Sequence, residues 1–213
     1  MPDPGDLTPD PFDTVAGPGE ASFEVRGSTF IGHVQAVEDV NQADASIDEI
    51  ASNHPDASHL VPGYRIRTGD GRGELLREWS KDAGEPTGSA GRPVVNVLAG
   101  RELENVLAVV ARYFGGTELG DGGLARAYGQ AATAAVEDAG VVTRRPHRRY
   151  TVEVEYDDSG TVRSILEATA TEFEAEYGSA ARFAVRVPAS DPDGVLDRLR
   201  SATSGRVKVE EGA

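Results

Sequence analysis

The sequence predicts an α+β fold in two parts, on three observations. Apolar runs of strand length recur along the chain, continuous in Val106 to Ala111 and alternating in Tyr150 to Tyr156. Between such runs lie stretches with helical spacing, the longest being Leu124, Tyr128, Ala131, Ala135, Val136 and Ala139, stopped by Gly140. The succession of elements then restarts after Arg144-Arg145-Pro146, and a chain of 213 residues has room for two small cores.

In chain order, residues 1–20 are rich in Pro, Gly and Asp and carry no basic residue, which predicts a solvated tail, at best extended over the first strand. Ala21 to Arg26 and Thr29 to Val37 alternate as a hairpin turning at Arg26-Gly27-Ser28. Asp39 opens a helix with Val40, Ala43, Ile47, Ile50 and Ala51 inward, ending before Pro55. Ser58 to Arg67 and Glu74 to Ser80 are strands joined by TGDGRG. Pro93 to Leu98 begins a helix with proline where no amide donor is needed. The strand at Val106 and the helix ending at Ala139 complete a first domain over 21–142, with its helices expected on one face of the sheet.

The second part, 147–211, reads β-α-β-β-α-β. His147 to Tyr156, Thr171 to Tyr177, Ala181 to Val187 and Arg206 to Val209 alternate as strands, and Ser159 to Ala170 and Asp191 to Ala202 have helical spacing. This is the ferredoxin-like, split-βαβ plan.

Composition bounds the function. Lys and Arg total 21 against 36 Asp and Glu, a net charge of −15, and Lys81 and Lys208 are the only lysines. Such a surface predicts a protein kept hydrated in high salt and argues against general polyanion binding, although a local basic patch stays compatible with it. The absence of cysteine excludes disulfides, thiolate catalysis and cysteine-based zinc sites. The opening MPDPGDLTPDPFD has neither the basic region nor the apolar core of a signal peptide, and no apolar run reaches the roughly 20 residues of a membrane span. A soluble cytoplasmic protein is expected.

Three glycine clusters stand between apolar runs and helix starts: Gly84 to Gly91, Gly115-Gly116, and Gly120 to Gly123. They bring backbone amides to positions that attract anions. GxxxxGK[ST] is absent and the glycines do not make GxGxxG, so the nucleotide fingerprints fail.

KDAGEPTGSAGRPVVNVL followed by VVARYFGGTELGDGGLARAYG resembles the two signature blocks of the IMPACT/YigZ family. STFIGHV at Ser28 to Val34 and NHPDASHLVPGYRI at Asn53 to Ile66 agree with it in the same order. The resemblance implies a two-domain archaeal or bacterial-type member. Its first domain would be like the second domain of ribosomal small-subunit protein five, and its last domain like that of translocase elongation factors. It also implies a link to the regulation of translation. Relatives often carry lysine at the place of Glu118 and a small neutral residue at that of Asp121, where this chain is acidic.

Candidate site residues follow. Arg112 and Arg126 flank the double-glycine loops and are candidates to converge on an anion beside Gly115, Gly116, Gly122 and Gly123, against a reading in which each pairs with a surface acid. Asp121 is expected at the helix N-cap, bonding the amide of Gly123 or Leu124. Tyr113-Phe114 are candidates to stack on a base, or to divide between core and loop. In the signature loop of Asp82, Gly84, Glu85, Gly91 and Arg92, a carboxylate could serve as base or cation ligand. Alternatively, Glu85 accepts amides of its own loop and holds it rigid. His54 and His59 bracket PDAS without any ordered ligand set, so structural hydrogen bonds are expected of them and no metal site. His33 and His147 have no evident partner.

Arg144, Arg145, Arg148 and Arg149 form the densest basic cluster, suited to RNA phosphates, to neutralising the Glu137-Asp138 end or to bridging the domains. No nucleophile motif or cofactor fingerprint is present. These readings predict a non-enzymatic protein that binds RNA, the ribosome or a protein partner. The rival is an enzyme acting on a phosphorylated small molecule or nucleotide in the glycine-rich cleft.

Overall fold

The computed structural model describes residues 11–68, 75–145, 147–169, 172–188 and 192–212. It divides into two compact units, Phe12–Arg144 and a second from Arg145 onward. The predicted turn following Thr68 lies outside the described residues.

The first unit is built on a five-stranded antiparallel sheet. Its strands are β2 (Gly19–Val25), β3 (Ser28–Ala36), β4 (His59–Thr68), β5 (Leu75–Ser80) and β6 (Val106–Tyr113), arranged β2-β3-β6-β4-β5. β2 and β3 meet in a two-residue turn, Arg26 and Gly27, with φ of 49° and 81°. Both residues are left-handed, as a turn that matches the twist of the paired strands requires. β6 lies in the centre and is buried from Val106 to Arg112, which is why its sequence is continuously apolar and not alternating.

Three helices cover the sheet, and they use both of its faces. Helices α2 (Gly91–Gly100) and α3 (Asp121–Ala139) pack against Phe30, Val34, Val61, Val106, Ala108 and Val110. Helix α1 (Val40–Asn53) covers the other face, over Tyr64, Ile66, Leu107 and Val109. The expectation of helices on one face is therefore corrected. β6 is apolar toward both sides, a signal for double coverage. Asp39 caps α1 as predicted, its carboxylate accepting the Gln42 amide at 2.8 Å.

The tail expected over residues 1–20 also needs correction. Phe12–Val15 forms β1, which pairs antiparallel with β7 (Val141–Arg144), and Val15 is fully buried. Four residues behind a Pro- and Asp-rich run show no periodicity, and their partner is far away in sequence, so the pairing left no local trace. Residues 1–10 lie outside the described residues.

The second unit has β8 (His147–Val154), α4 (Tyr156–Ala168), β9 (Glu172–Tyr177), β10 (Ala181–Pro188), α5 (Pro192–Ala202) and β11 (Lys208–Glu211). Its all-antiparallel sheet is ordered β11-β8-β10-β9. This is the 4-1-3-2 arrangement consistent with the predicted split-βαβ plan. Its core gathers Val152, Phe183, Val185 and Val187 from the sheet, with Val162, Leu166, Val195 and Leu199 from the helices. No described helix is long and apolar enough to cross a membrane.

Helix α3 lies tight on the sheet at Gly32, where an added Cβ would overlap the Ala131 carbonyl, as one at Gly19 would overlap that of Ala135. Gly32→Val is expected to force α3 off the sheet and to destabilise the protein by about 1–3 kcal/mol, read as a lowered thermal midpoint.

Candidate functional site

The helix-covered face of α2 and α3 ends in a recess of about 400 Å³ between two of the glycine-rich segments. His59, Glu85 and Pro86 line one side. Phe114 and the run from Glu118 to Asp121 line the other, and Arg112 and Leu124 complete it.

The 81–91 loop is held by one carboxylate. Asp82 accepts the amides of Gly88 at 2.8 Å, Ala90 at 3.2 Å and Gly91 at 2.8 Å. It thereby caps α2, whose own cap position, Ala90, has no side chain able to do so. Burial acts to raise the Asp82 pKa, but the three amides outweigh it and hold the carboxyl below the usual carboxylate range. The sequence reading gave Glu85 this loop-bracing role. The brace is Asp82, because only its position places an acceptor inside the turn.

Glu85 instead reaches inward. Its Oε1 accepts from Arg112 at 2.6 Å and from the Tyr128 hydroxyl at 2.7 Å. The Glu85 and Arg112 side chains are 4 % and 5 % exposed, so this ion pair is buried. Arg112 also contacts Ser28 Oγ at 3.5 Å and lies over the rings of Phe30 and Phe114, while its Nε has no hydrogen-bond partner. Burial first, then the hydrogen bond to the Glu85 carboxylate, pushes the Tyr128 hydroxyl well above the usual phenol range. His59 completes the cluster, with Nδ1 3.0 Å from the Ala83 carbonyl and Nε2 3.9 Å from Glu85.

The structure brings only part of the predicted anion clamp together. Arg112 faces the recess, but its charge is matched by Glu85. Arg126 is exposed and does not line the recess; its guanidinium lies beside Gly122. Gly115 rests against Gly27, its amide donating to Ser28 Oγ at 3.1 Å. Gly116, Gly122 and Gly123 lie outside the lining, and Arg92 is exposed on the first turn of α2. Gly120, not Asp121, takes the N-cap of α3, and Asp121 is an exposed first-turn residue at the recess rim.

Tyr113 and Phe114 divide between the two sides of the sheet. Phe114 is half-exposed in the recess, its amide held by Ser58 Oγ at 3.1 Å. Tyr113 turns to the α1 face, where its hydroxyl is 2.9 Å from His54 Nδ1. His54 and His59 thus serve opposite faces, with different hydrogen-bond partners. His33, for which the sequence shows no partner, has its Nε2 2.7 Å from that of His54. Among the described residues no group of three metal-ligating side chains comes together.

Tyr128, Ser28 and Ser58 escaped the sequence reading as site residues. Tyr128 carried the one available signal: a single large ring with a polar tip among alanines on the inner face of α3. Elsewhere, Glu137 pairs with Arg101 and Asp138 accepts the Glu20 amide, so the end of α3 is matched from within the first unit. In the second unit, Arg148 pairs with Glu211.

Comparison with known proteins agrees with the signature blocks. The Impact N-terminal domain matches residues 26–136, and a domain of unknown function, DUF1949, matches residues 152–206. IMPACT family member YvyE of Bacillus subtilis is 32% identical over 93% of this chain and 90% of its own. IMPACT family member YigZ of Escherichia coli is 32% identical over 71% of this chain and 72% of its own. A crystal structure described as that of a hypothetical protein superposes with a TM-score of 0.66 at 25% identity, covering 96% of this chain and 98% of that one.

Three outcomes are expected. Glu85→Ala leaves the buried Arg112 without a counter-charge and should destabilise the protein by about 3–5 kcal/mol in denaturant unfolding. Exposed Glu118→Gln should change stability by no more than about 0.5 kcal/mol. Asp82→Asn should lower the thermal midpoint at neutral pH. The folded Asp82 has a depressed pKa, so its contribution is present above the unfolded value of 3.8 and lost as pH falls through the folded value. The difference between variant and parent should therefore shrink in acid.

Proposed function

The chain belongs to the IMPACT family, and from that premise we propose that it is a non-catalytic, cytoplasmic binding protein in the regulation of translation, engaging a protein of the translation machinery through the recess beside Phe114. The link to translation is carried by the resemblance of the signature blocks. The choice of a protein partner over RNA rests on one observation: the Arg112 charge is already matched by buried Glu85. Glu118 and Asp121 stand at the rim, and Arg126 lies outside the lining. A phosphate entering there would meet carboxylates in place of open guanidinium groups. A half-exposed Phe114 beside Leu119 and Leu124 suits an apolar anchor with a basic flank, the usual chemistry of a protein hot spot.

A second reading keeps one observation in its favour. Glu85, Tyr128 and His59 form a polar cluster at the recess, which an enzyme acting on a phosphorylated small molecule or nucleotide could use for proton transfer.

Affinity capture of the intact protein from its own cell extract, at native salt and with nuclease, separates these readings. Proteins of the translation machinery should be retained after nuclease treatment. They should fall at least about tenfold with Phe114→Ala, an exposed change that spares the Glu85–Arg112 hydrogen bond itself, and stay unaltered with Arg126→Ala. Loss of all capture on nuclease treatment would replace this reading with RNA binding. A small molecule retained in native mass spectrometry and lost in Phe114→Ala would favour the enzyme.

A further inference from the structure

On the α1 face, four polar side chains from four segments form one file. Glu20 of β2 has Oε2 3.4 Å from His33 Nδ1. His33 Nε2 lies 2.7 Å from His54 Nε2, and His54 Nδ1 lies 2.9 Å from the Tyr113 hydroxyl. The imidazole centroids are 4.9 Å apart.

The geometry limits the protons. Only one hydrogen fits between two nitrogens at 2.7 Å, so one Nε2 must donate and the other accept. With a proton on His33 Nδ1, toward the Glu20 carboxylate, its Nε2 is the acceptor. His54 then donates from Nε2, and its Nδ1 accepts the Tyr113 hydroxyl. A first extra proton is accommodated at His54 Nδ1, because the Tyr113 oxygen can accept as well as donate. A second has no such place: both rings would be doubly protonated, two N–H groups would face each other, and two cations would sit in contact. Glu20 and His54 are the charged groups acting on His33, and Asp138 of α3 accepts the Glu20 backbone amide.

The file is joined to the recess on the other side of the sheet. His54 caps the end of α1 and starts a short turn in which the Ala57 amide donates to the His54 carbonyl at 3.1 Å. Ser58 follows, its amide donating to the Arg112 carbonyl at 2.8 Å and its Oγ accepting the Phe114 amide at 3.1 Å. The segment that leaves the histidine pair therefore holds the backbone of the recess rim.

We infer that His33 and His54 form a latch that accepts one proton and is opened by a second, so that acid releases residues 54–58 and with them the Phe114 edge of the recess. This device does not depend on what the recess binds. Burial first, opposed by Glu20 and reinforced by His54, lowers the His33 pKa from 6.5, in keeping with a pair that resists full protonation. The sign follows. Unfolded, His33 takes up its proton near 6.5, whereas folded it does so only at lower pH. Stability is therefore complete above about 6.5 and falls as pH drops below it.

Amide hydrogen exchange on the full chain at about pH 7.5 and about pH 5, corrected for intrinsic rates, tests the latch. Protection at Ala57, Ser58 and Phe114 should fall at least about tenfold in acid, while the core of β6 keeps its protection. His33→Gln, whose amide can still meet His54 but does not titrate, should abolish most of that response. Unchanged protection in the parent, or a full response in His33→Gln, would overturn the inference. Should His33→Gln fail to fold, imidazole nitrogen shifts of the parent decide it. Two linked steps, the second well below 6.5, support the latch; two independent titrations near 6.5 refute it.

Discussion

The first unit depends on one buried ion pair. Glu85 comes from the signature loop and Arg112 from the end of the central strand, and Tyr128 of α3 donates to the same carboxylate oxygen. Strand end, loop and helix are therefore registered on a single atom. Charges removed from water are tolerated only when hydrogen bonds and a counter-charge replace the lost solvation, so the three segments stabilise this arrangement jointly or not at all. The same pair sets the character of the recess. Among the described residues it takes the one guanidinium that lines the cavity and leaves acidic and apolar groups to face a ligand.

Most of the architecture was legible because periodicity and punctuation agree along the chain. Asp39 before a helical stripe, Gly140 after one, and the alternation of Tyr150, Val152 and Val154 each had a local physical meaning that the fold honours. β1 was not legible, since four residues carry no period and its partner is non-local. The coverage of both sheet faces was readable in principle from the unbroken apolar run of β6, yet periodicity alone does not say which helix lies on which side.

The site was legible in its location but not in its pairings. Glycine clusters and polar residues drew attention to the correct loops, and two of those loops do border one recess. Which carboxylate serves which partner depends on distances that spacing does not encode. Asp82 and Glu85 are three apart in a glycine-rich turn, and one faces the amides of its own loop while the other crosses to a strand and a helix. The histidines show the same limit. His33 and His54 are 21 positions apart and meet because a strand and the end of a helix converge. His54 and His59 look adjacent in sequence and lie on opposite faces.

The β1–β7 ribbon has a temporal implication. It ties Phe12 to Arg144, about 130 residues later, and Val15 at its base enters the main core. A nascent chain emerging from the ribosome cannot close this unit until nearly all of it has been synthesised, so the segment holding Phe12 must wait, unpaired, for its partner. Long-range closure of this kind slows folding, and it ties completion of the first unit to the moment the second begins to emerge.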